Sequence, residues 1–379
     1  MIESDPIVWH RRHQTVNTIW KHNRGTLMKT ELIVPLLLII ALTTGCLKTG
    51  DQNTLLNVSY DPTRELYKEF NQAFTAHYKK ETGETVKVEV SNGGSSKQAR
   101  AVVDGLPADV VTLALAYDID YIAQNGLLEK NWQERLPFNS TPYSSTVVFL
   151  VRKDNPKNIK EWEDIIKPGI EIVVADPKTS GVARWAYLAG WGYALKRELG
   201  DLSKLHDPNA AAEVADAQNK AREFITALYK NVKMFPSGAR DASVAFVQQR
   251  NGDVLLDWEN QAELTINEVG KGEYEIVVPS VSILAEPPVA LLDKNVDKRG
   301  TRKVAEAYLN FLYSKEGQEI VARHFYRPRD EEILKKYADH FVSVDMFTID
   351  DVFGGWKKAQ QEHFEDGGVF DQIHTPAQK

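Results

Sequence analysis

Two kinds of hydrophobic run alternate along the chain from about residue 55. Short, continuous apolar runs, which are typical of strands buried on both faces of a sheet, occur at residues 110–115, 146–151 and 170–175. Two further strands are predicted at residues 55–60 and 85–90. Apolar residues spaced three or four apart predict helices at residues 65–80, 181–199, 217–229, 242–249 and 303–312. This alternation of strands and helices indicates parallel sheets in an α/β fold.

The N-terminal segment follows a different pattern. Residues 32–42 form an apolar run that ends in a Thr-Thr-Gly sequence immediately before Cys46. The run is shorter than the roughly 20 residues of a bilayer span and resembles the core of a bacterial lipoprotein signal. We expect residues 1–45 to be an N-terminal extension and signal peptide that is removed, with Met28 as an alternative start. Residues 46–54 would then be a linker that begins at a lipidated Cys46. A plain export signal with an incidental cysteine is the alternative.

Length and composition restrict the classes of function. A chain of 379 residues suggests about two domains. A net charge of −7 and a pI near 5.8 argue against a nucleic-acid partner, because binding to phosphates needs clustered basic charge. The single cysteine excludes an intrachain disulfide and a multi-cysteine zinc site. The patterns GxxxxGK[ST], GxSxG, HExxH and CxxC are absent, so the sequence offers no support for catalysis and no cofactor is expected.

Four segments that follow predicted strands are rich in small and polar residues. They are NVSYDPTREL (57–66), SNGGSSKQAR (91–100), DPKTSGVARWAYL (176–188) and PSGARD (236–241). Three of the four clearly open a predicted helix. The first N–H groups of a helix have no backbone partner and carry a partial positive charge, so they attract anions. One such junction is ordinarily only a cap and a turn. Several of them, at corresponding strand ends in two domains, favour a ligand cleft.

The same segments carry a resemblance that covers residues 55–373. The chain closely resembles the bacterial periplasmic sulfate-binding proteins, which are the soluble receptors of sulfate/thiosulfate ABC importers. Besides the first and fourth segments, the matching blocks are VTLALAYDIDYIA (111–123), STVVFLVRKDNPK (145–157), GDVLLDWEN (252–260), SILAEPPVALLDK (282–294), FYRPRD (325–330) and VFGGWKKAQ (352–360). The resemblance implies a two-lobed periplasmic binding protein of type II, with the ligand in the cleft between the lobes.

A lobe partition follows from this resemblance. We expect residues 55–145 and 262–310 to form lobe 1 and residues 146–261 to form lobe 2, with residues 311–379 as C-terminal helices that pack on the lobes. Closure requires hinge strands, which are expected near residues 144–147 and 260–263. Residues 199–215 resemble an insertion remote from the matching motifs, and nothing in the sequence indicates its role.

The resemblance also implies the sulfate contacts, residue by residue. They are the backbone N–H of Asp61, Ser95, the hydroxyl of Ser180, the backbone N–H groups of Gly181, Val182 and Ala239, and the indole N–H of Trp258. All are neutral donors, so oriented dipoles rather than a countercharge would stabilise a dianion. For Arg64, Lys97, Arg184 and Arg240, which lie near these segments, we expect supporting roles and not direct ligation. Outside the motif, Trp258 would be interpreted as a core residue.

The implied function is high-affinity binding of sulfate, or of thiosulfate, and its delivery to an ABC-type permease. The protein would be a monomer in the periplasm, or at the outer face of the cytoplasmic membrane if Cys46 is lipidated. A receptor for another oxyanion, such as molybdate or phosphate, is one alternative. An enzyme on the same scaffold is another, because a fold alone does not determine function.

Overall fold

The computed structural model of the protein describes residues 53–269, 272–341 and 343–377. The predicted signal peptide and the lipidation of Cys46 lie outside the described residues. The strands in the described part of the chain are β1 (Thr54–Tyr60), β2 (Lys87–Gly93), β3 (Val110–Thr112), β4 (Tyr143–Ser144), β5 (Val147–Arg152), β6 (Ile172–Val173), β7 (Val232–Met234), β8 (Val254–Trp258), β9 (Tyr274–Val277), β10 (Val281–Ile283), β11 (Val289–Leu291), β12 (Arg327–Pro328) and β13 (Asp345–Phe347).

Helices connect most of these strands. They are α1 (Arg64–Thr82), α2 (Ser95–Val103), α3 (Ala116–Gln124), α4 (Pro137–Ser140), α5 (Trp162–Ile165), α6 (Gly181–Leu199), α7 (Ala211–Lys230), α8 (Ala239–Val247), α9 (Glu259–Val269), α10 (Asp293–Arg299), α11 (Arg302–Phe311), α12 (Lys315–Arg323), α13 (Glu331–Lys336), α14 (Ile349–Phe353), α15 (Trp356–Ala359) and α16 (Val369–Ala377). A 3₁₀ turn at Asp61–Thr63 leads directly into α1, and a π-helical turn at Gln360–Phe364 follows α15. All five predicted helices are present. The helix predicted at residues 242–249 begins three residues earlier, at Ala239.

The first sheet has the strand order β11-β3-β1-β2. Side chains of its central strand β1 point alternately to two faces, as the period of two in a strand requires. Leu55 lies in a core formed with α1, α11 and α12, and Val58 lies in a second core formed with α2 and α3. The first sheet and these helices are called the first lobe below. Its strands β1, β2 and β3 are parallel, so their carboxyl ends, where α1 and α2 begin, meet at one edge.

The second sheet has the strand order β7-β6-β8-β5-β9 and, with α6, α7 and α8, forms the second lobe. Every residue of β8, a strand that the apolar pattern did not predict, is buried. The sheet is mixed and not all parallel, because β5 runs antiparallel to β8 and β9.

The chain passes from the first sheet to the second through the segment around Ser145, which leads into β5, and returns through residues 284–288, which lead to β11. Ser145 forms a bridge with Ala285 and donates its hydroxyl to Asn260 Oδ1 at 2.8 Å. Thr146 donates its hydroxyl to the carbonyl of Ile283 at 2.9 Å. The hinge predicted at residues 144–147 coincides with the first of these segments, and the sequence missed the second. The other predicted hinge, residues 260–263, lies in α9, which is followed by β9 of the second sheet.

One part of the predicted lobe partition differs from the sheet topology. Residues 262–310 are assigned to the first lobe by sequence, but β9 pairs with β5 in the second sheet. The side chain of Tyr274 lies beside the ring of Phe246, with ring centroids 5.7 Å apart, and both residues belong to the second lobe. Because β9 pairs with the edge of β5 opposite β8, the chain remains in the second lobe until after β10.

Candidate anion-binding site

Four helical N-termini meet at one small cavity between the lobes. The 3₁₀ turn that leads into α1 begins at Asp61, and α2, α6 and α8 begin at Ser95, Gly181 and Ala239. The cavity has an empty volume of about 200 Å³. It is lined by Tyr60, Asp61, Pro62, Gly93, Gly94, Ser95, Ser180, Gly181, Val182 and Ala239. The structure thus brings six of the seven implied contact residues together on one wall.

None of these four N-termini is capped by a side chain. The residues that precede the helical turns are Tyr60, Gly94, Ser180 and Gly238, and none of their side chains accepts a hydrogen bond from the helix. By contrast, the hydroxyl of Ser314 accepts a hydrogen bond from the first turn of α12. Serine is a preferred capping residue, so it is unusual that the hydroxyl of Ser180 accepts no hydrogen bond from the first turn of α6. The four ends leave backbone N–H groups free to bind an anion at the cavity.

Two glycines allow the lobes to approach each other beside the cavity. A Cβ on Gly181 would lie 2.4 Å from the Cβ of Ala114, which follows β3 in the first lobe. A Cβ on Gly94 would lie 2.7 Å from the carbonyl oxygen of Thr179 in the second lobe. Both distances are far shorter than a van der Waals contact, so neither position accepts a larger residue without movement of the backbone.

The hydroxyl of Ser95 has protein partners on both sides. It donates to Asp118 Oδ2 at 2.5 Å and accepts from the backbone N–H of Ala114 at 3.0 Å. Ser96 donates its hydroxyl to the other oxygen of the same carboxylate at 2.8 Å. Burial raises the pKa of Asp118, while the charge of Arg184 and these two hydroxyl groups oppose the shift. The group that Ser95 leaves for a ligand is therefore its backbone N–H in the first turn of α2.

The segment that carries Ser180 is fixed by its own backbone and by one buried arginine. The N–H of Ser180 donates to the carbonyl of Asp176 at 2.8 Å. Arg184, one turn into α6, donates its Nε–H to the carbonyl of Pro177 at 2.7 Å and an η N–H to Gln360 Oε1 at 2.9 Å. Arg184 is thus held by the loop and by the C-terminal segment.

Residues 55–327 match the sequence model of a protein family, the bacterial extracellular solute-binding proteins. The chain belongs to this family. It is 57% identical over 319 residues to the sulfate-binding protein of Salmonella typhimurium, covering 84% of this chain and 92% of that protein. It is 51% identical over 323 residues to the thiosulfate-binding protein of Pseudomonas aeruginosa, covering 85% and 92%. The sulfate-binding protein SubI from Mycobacterium tuberculosis superimposes with a TM-score of 0.70 at 30% identity, covering 83% of this chain and all of that one.

Trp258 is the implied contact that does not line the cavity of this solute-binding protein. Its side chain is fully buried at the end of β8, and its ring centroid lies 5.5 Å from that of Tyr60, which does line the cavity. Its indole N–H has no hydrogen-bond partner among the described residues. A buried donor without a partner costs about 1–3 kcal/mol, so this N–H is available to a ligand at low cost.

The carboxylate beside Trp258 is also unusual. Asp257 is buried and accepts hydrogen bonds from the backbone N–H of Trp258 at 2.8 Å and from the hydroxyl of Ser243 at 3.2 Å. Burial raises the pKa of the Asp257 carboxyl to about 7, although these two hydrogen bonds oppose the shift. Since Ser243 lies on α8, the carboxylate connects the end of β8 to the helix whose first residue is Ala239.

Arg64, Arg184 and Arg240 near the cavity are engaged with acidic or polar protein groups. Burial raises the pKa of the Asp61 carboxyl, and the guanidinium of Arg64, 3.6 Å away, opposes this shift. Arg240 lies 3.5 Å from Glu65 across the cleft. None of the ten residues on the cavity wall is a lysine, arginine or histidine. The hydrogen-bond donors that the wall offers an anion are therefore neutral.

None of the helices in the described residues is both long enough and apolar enough to cross a bilayer.

Proposed function

We propose that this solute-binding protein binds sulfate in the cavity between its lobes and delivers it to an ABC-type permease for import. The observation that carries the proposal is the convergence of four uncapped helical N-termini on one small cavity without a cationic wall residue. The names of the Salmonella and Pseudomonas relatives, which the chain matches over 92% of their lengths, support the same class of ligand.

The chemistry of the wall suits a fully ionised tetrahedral oxyanion. Each helical N-terminus contributes a partial positive charge of roughly half an elementary charge, and hydrogen bonds to a charged oxygen are worth about 1.5–3 kcal/mol. The space in this cavity that the centre of a water-sized sphere can reach is only about 10 Å³, far below the roughly 300–1,000 Å³ of sites for drug-sized ligands. A small inorganic anion fits this combination better than an organic one.

The proposed contacts keep the residues implied by the resemblance, with one change of group. In the first lobe they are the backbone N–H groups of Asp61 and Ser95, because the hydroxyl of Ser95 is already bonded to Asp118. In the second lobe they are the Ser180 hydroxyl and the N–H groups of Gly181, Val182 and Ala239. The indole N–H of Trp258, which has no partner in the described structure, is proposed as the seventh donor.

Calorimetric titration with sulfate, thiosulfate, phosphate and molybdate at pH 7 and pH 8 tests the proposal. Phosphate retains a proton at these pH values, and none of the seven proposed contacts, which are all donors, accepts that proton. Rejection of a mismatched hydrogen bond reaches roughly 10⁴-fold in favourable cases, so sulfate should bind far more tightly than phosphate. Comparable affinities would contradict a site of donors only and would implicate the Asp61 carboxylate, which lines the cavity, as an acceptor.

Thiosulfate is the second candidate ligand because one relative is named for it. Thiosulfate carries the same charge but replaces one oxygen by a sulfur, which is a weak acceptor of hydrogen bonds. In the same titrations we expect sulfate to bind more tightly than thiosulfate, because each of the seven proposed groups is a donor. Tighter binding of thiosulfate would reassign the physiological ligand without moving the site.

Location and partners form the remaining part of the proposal. The protein would act in the periplasm, anchored through a lipid on Cys46, and would present the closed lobes to the permease as a monomer without catalysing a reaction. Membership of an extracellular solute-binding family supports export. Fractionation of cells should recover the protein with the membrane and release it after lipase treatment. Recovery in the cytoplasm would contradict the proposed location.

A further inference from the structure

The indole N–H of Trp185 forms a hydrogen bond that crosses from one lobe to the other. Trp185 lies on α6 of the second lobe, whereas its Nε1–H donates to the carbonyl oxygen of Ala114, just after β3 of the first lobe, at 3.0 Å. Both residues are buried, with exposed fractions of 0% and 1%. A hydrogen bond with this protection from water has a defined geometry and is lost if the lobes separate.

Ala114 also forms a hydrogen bond to α2, the helix whose N-terminus is a proposed ligand contact. Its backbone N–H donates to the hydroxyl oxygen of Ser95 at 3.0 Å, and that hydroxyl donates to Asp118. Ser95 is the first residue of α2. The two backbone groups of Ala114 therefore link the N-terminus of α2 in the first lobe to the indole of Trp185 in the second.

A second contact of Trp185 fixes the orientation of its ring. The ring of Trp356 stands perpendicular to it, with centroids 4.6 Å apart. Such an edge-to-face pair, fully packed in the core of the second lobe, restricts the direction in which the indole N–H points. The donor is therefore held in place by the second lobe and meets its acceptor only when the first lobe closes against it.

We infer that Trp185 is a positioning residue that fastens the N-termini of α2 and α6 to each other when the lobes close around the bound anion. This inference rests on the proposed function. The contact belongs to the closed arrangement, so its loss should weaken the closed state relative to the open one. Because the hydrogen bond does not involve the ligand itself, it acts by slowing reopening and hence dissociation.

The variant Trp185→Phe tests this role, and the same helix supplies a matched control. Phenylalanine retains an aromatic ring but removes the indole donor. Trp191, two turns further along α6, is also buried and donates its indole N–H to Gln218 Oε1 at 2.8 Å. Gln218 lies on α7 within the second lobe, so Trp191→Phe removes an indole hydrogen bond without touching the interface between lobes.

Stopped-flow measurement of sulfate dissociation from the full-length variants gives the readout. We expect dissociation from Trp185→Phe to be roughly 3- to 10-fold faster than from the unmodified protein, as the loss of one neutral hydrogen bond predicts. The rate for Trp191→Phe should remain within about twofold, in keeping with additivity between distant sites. An unchanged rate in Trp185→Phe, or an equal change in both variants, overturns the inference.

A measurement on the unmodified protein decides the question if Trp185→Phe fails to fold. The exchange of each indole N–H with solvent deuterium is followed by NMR, with and without saturating sulfate. Exchange at Trp185 should slow at least about tenfold with sulfate, whereas exchange at Trp191 should not change. Equal responses at the two indoles overturn the inference while leaving the proposed function intact. A protein that does not bind sulfate refutes the proposed function, and this inference with it.

Discussion

Gly181 and Ala114 face each other across the cleft at a distance that leaves no room for a second Cβ. The Cβ absent from Gly181 would lie 2.4 Å from that of Ala114. Gly181 is the first residue of α6, and Ala114 follows β3. The N–H groups at the start of α6 therefore reach the cavity only because this position carries no side chain.

Substitution Gly181→Ala should weaken sulfate binding without unfolding the protein. Carbon atoms pack at about 3.5–4.0 Å, so the added methyl group must push the lobes apart. We expect at least tenfold weaker binding in calorimetry and a ligand-free Tm within a few degrees of the original. Gly190→Ala is the control, because its Cβ would press on Ile225 and Trp162 inside the second lobe. That variant should keep its affinity whatever its Tm, and an unchanged affinity in Gly181→Ala would refute the closure argument.

The role of Trp258 separates a ligand donor from a core residue. Trp258→Phe removes the unpaired indole N–H and keeps most of the buried ring. A hydrogen bond to a charged oxygen is worth about 1.5–3 kcal/mol, so sulfate affinity should fall roughly 10- to 150-fold. The stability of the ligand-free protein, measured by its Tm, should change less than the free energy of sulfate binding.

Trp132→Phe is the matched control for that substitution. Trp132 is equally buried, but its indole N–H donates to Asp120 at 2.9 Å in the first lobe, away from the cavity wall. This variant should lower the Tm and leave sulfate affinity intact. The opposite pattern, with a lower Tm and normal binding in Trp258→Phe, would identify Trp258 as a core residue only.

The sequence predicted the positions of the helical N-termini that line the cavity because each lies next to a strongly patterned strand or helix. Asp61, Ser180 and Gly181 were placed by local signals of this kind, and the resemblance supplied the proposed role of each residue. The start of α8 was placed three residues late, since the pattern of Ala242 and its successors is stronger than that of Ala239. Local periodicity also gave no sign that β5 runs antiparallel to β8, because a strand shows the same pattern of burial in either direction.

Contacts between residues that lie far apart along the chain could not be predicted from the sequence. The bonds of Ser95 to Ala114 and Asp118 join residues about twenty positions apart, and no motif marks them. The bridge of Ser145 to Ala285, which pairs the two segments that join the lobes, was missed for the same reason. Such contacts arise from the relative placement of whole elements, so a pattern read along the chain cannot specify them.

His363 should make the protein less stable in acid. It is buried in the C-terminal segment, and the hydroxyl of Tyr187 on α6 lies 3.1 Å from its Nδ1. Burial lowers its pKa to about 4, below the value of about 6.5 in an unfolded chain. The neutral, buried imidazole therefore contributes fully to the stability of the folded protein above pH 6.5. As the pH falls towards 4, this contribution is lost, and the free energy of unfolding decreases by up to about 3 kcal/mol.

Urea unfolding of the protein and of His363→Phe across this pH range measures that contribution. The free energy of unfolding of the original protein should fall relative to that of the variant as the pH decreases from 6.5 to 4. Comparison with the variant cancels the opposite effect of Asp257, whose raised pKa of about 7 is present in both proteins. Parallel pH profiles would show that His363 does not titrate as its burial requires.

Lipidation of Cys46 can be tested on protein isolated from its native membrane. The apolar run at residues 32–42 and the Thr-Thr-Gly-Cys ending predict cleavage before Cys46 and attachment of lipid to its thiol. Multiple acyl chains give stable anchoring, whereas a single chain binds membranes weakly. Intact-mass analysis should show a chain that begins at Cys46 and carries diacylglycerol. An unmodified thiol, or a mature chain that begins elsewhere, would contradict the prediction.

The most direct test of the central claim is to locate the bound anion in a crystal. Selenate has the charge and shape of sulfate, and its selenium gives an anomalous signal that identifies it without ambiguity. The account predicts one anomalous peak in the cavity, with selenate oxygens about 2.7–3.2 Å from the backbone nitrogens of Asp61, Gly181 and Ala239. A peak beside an arginine or lysine outside this cavity would contradict a site built from uncapped helical N-termini.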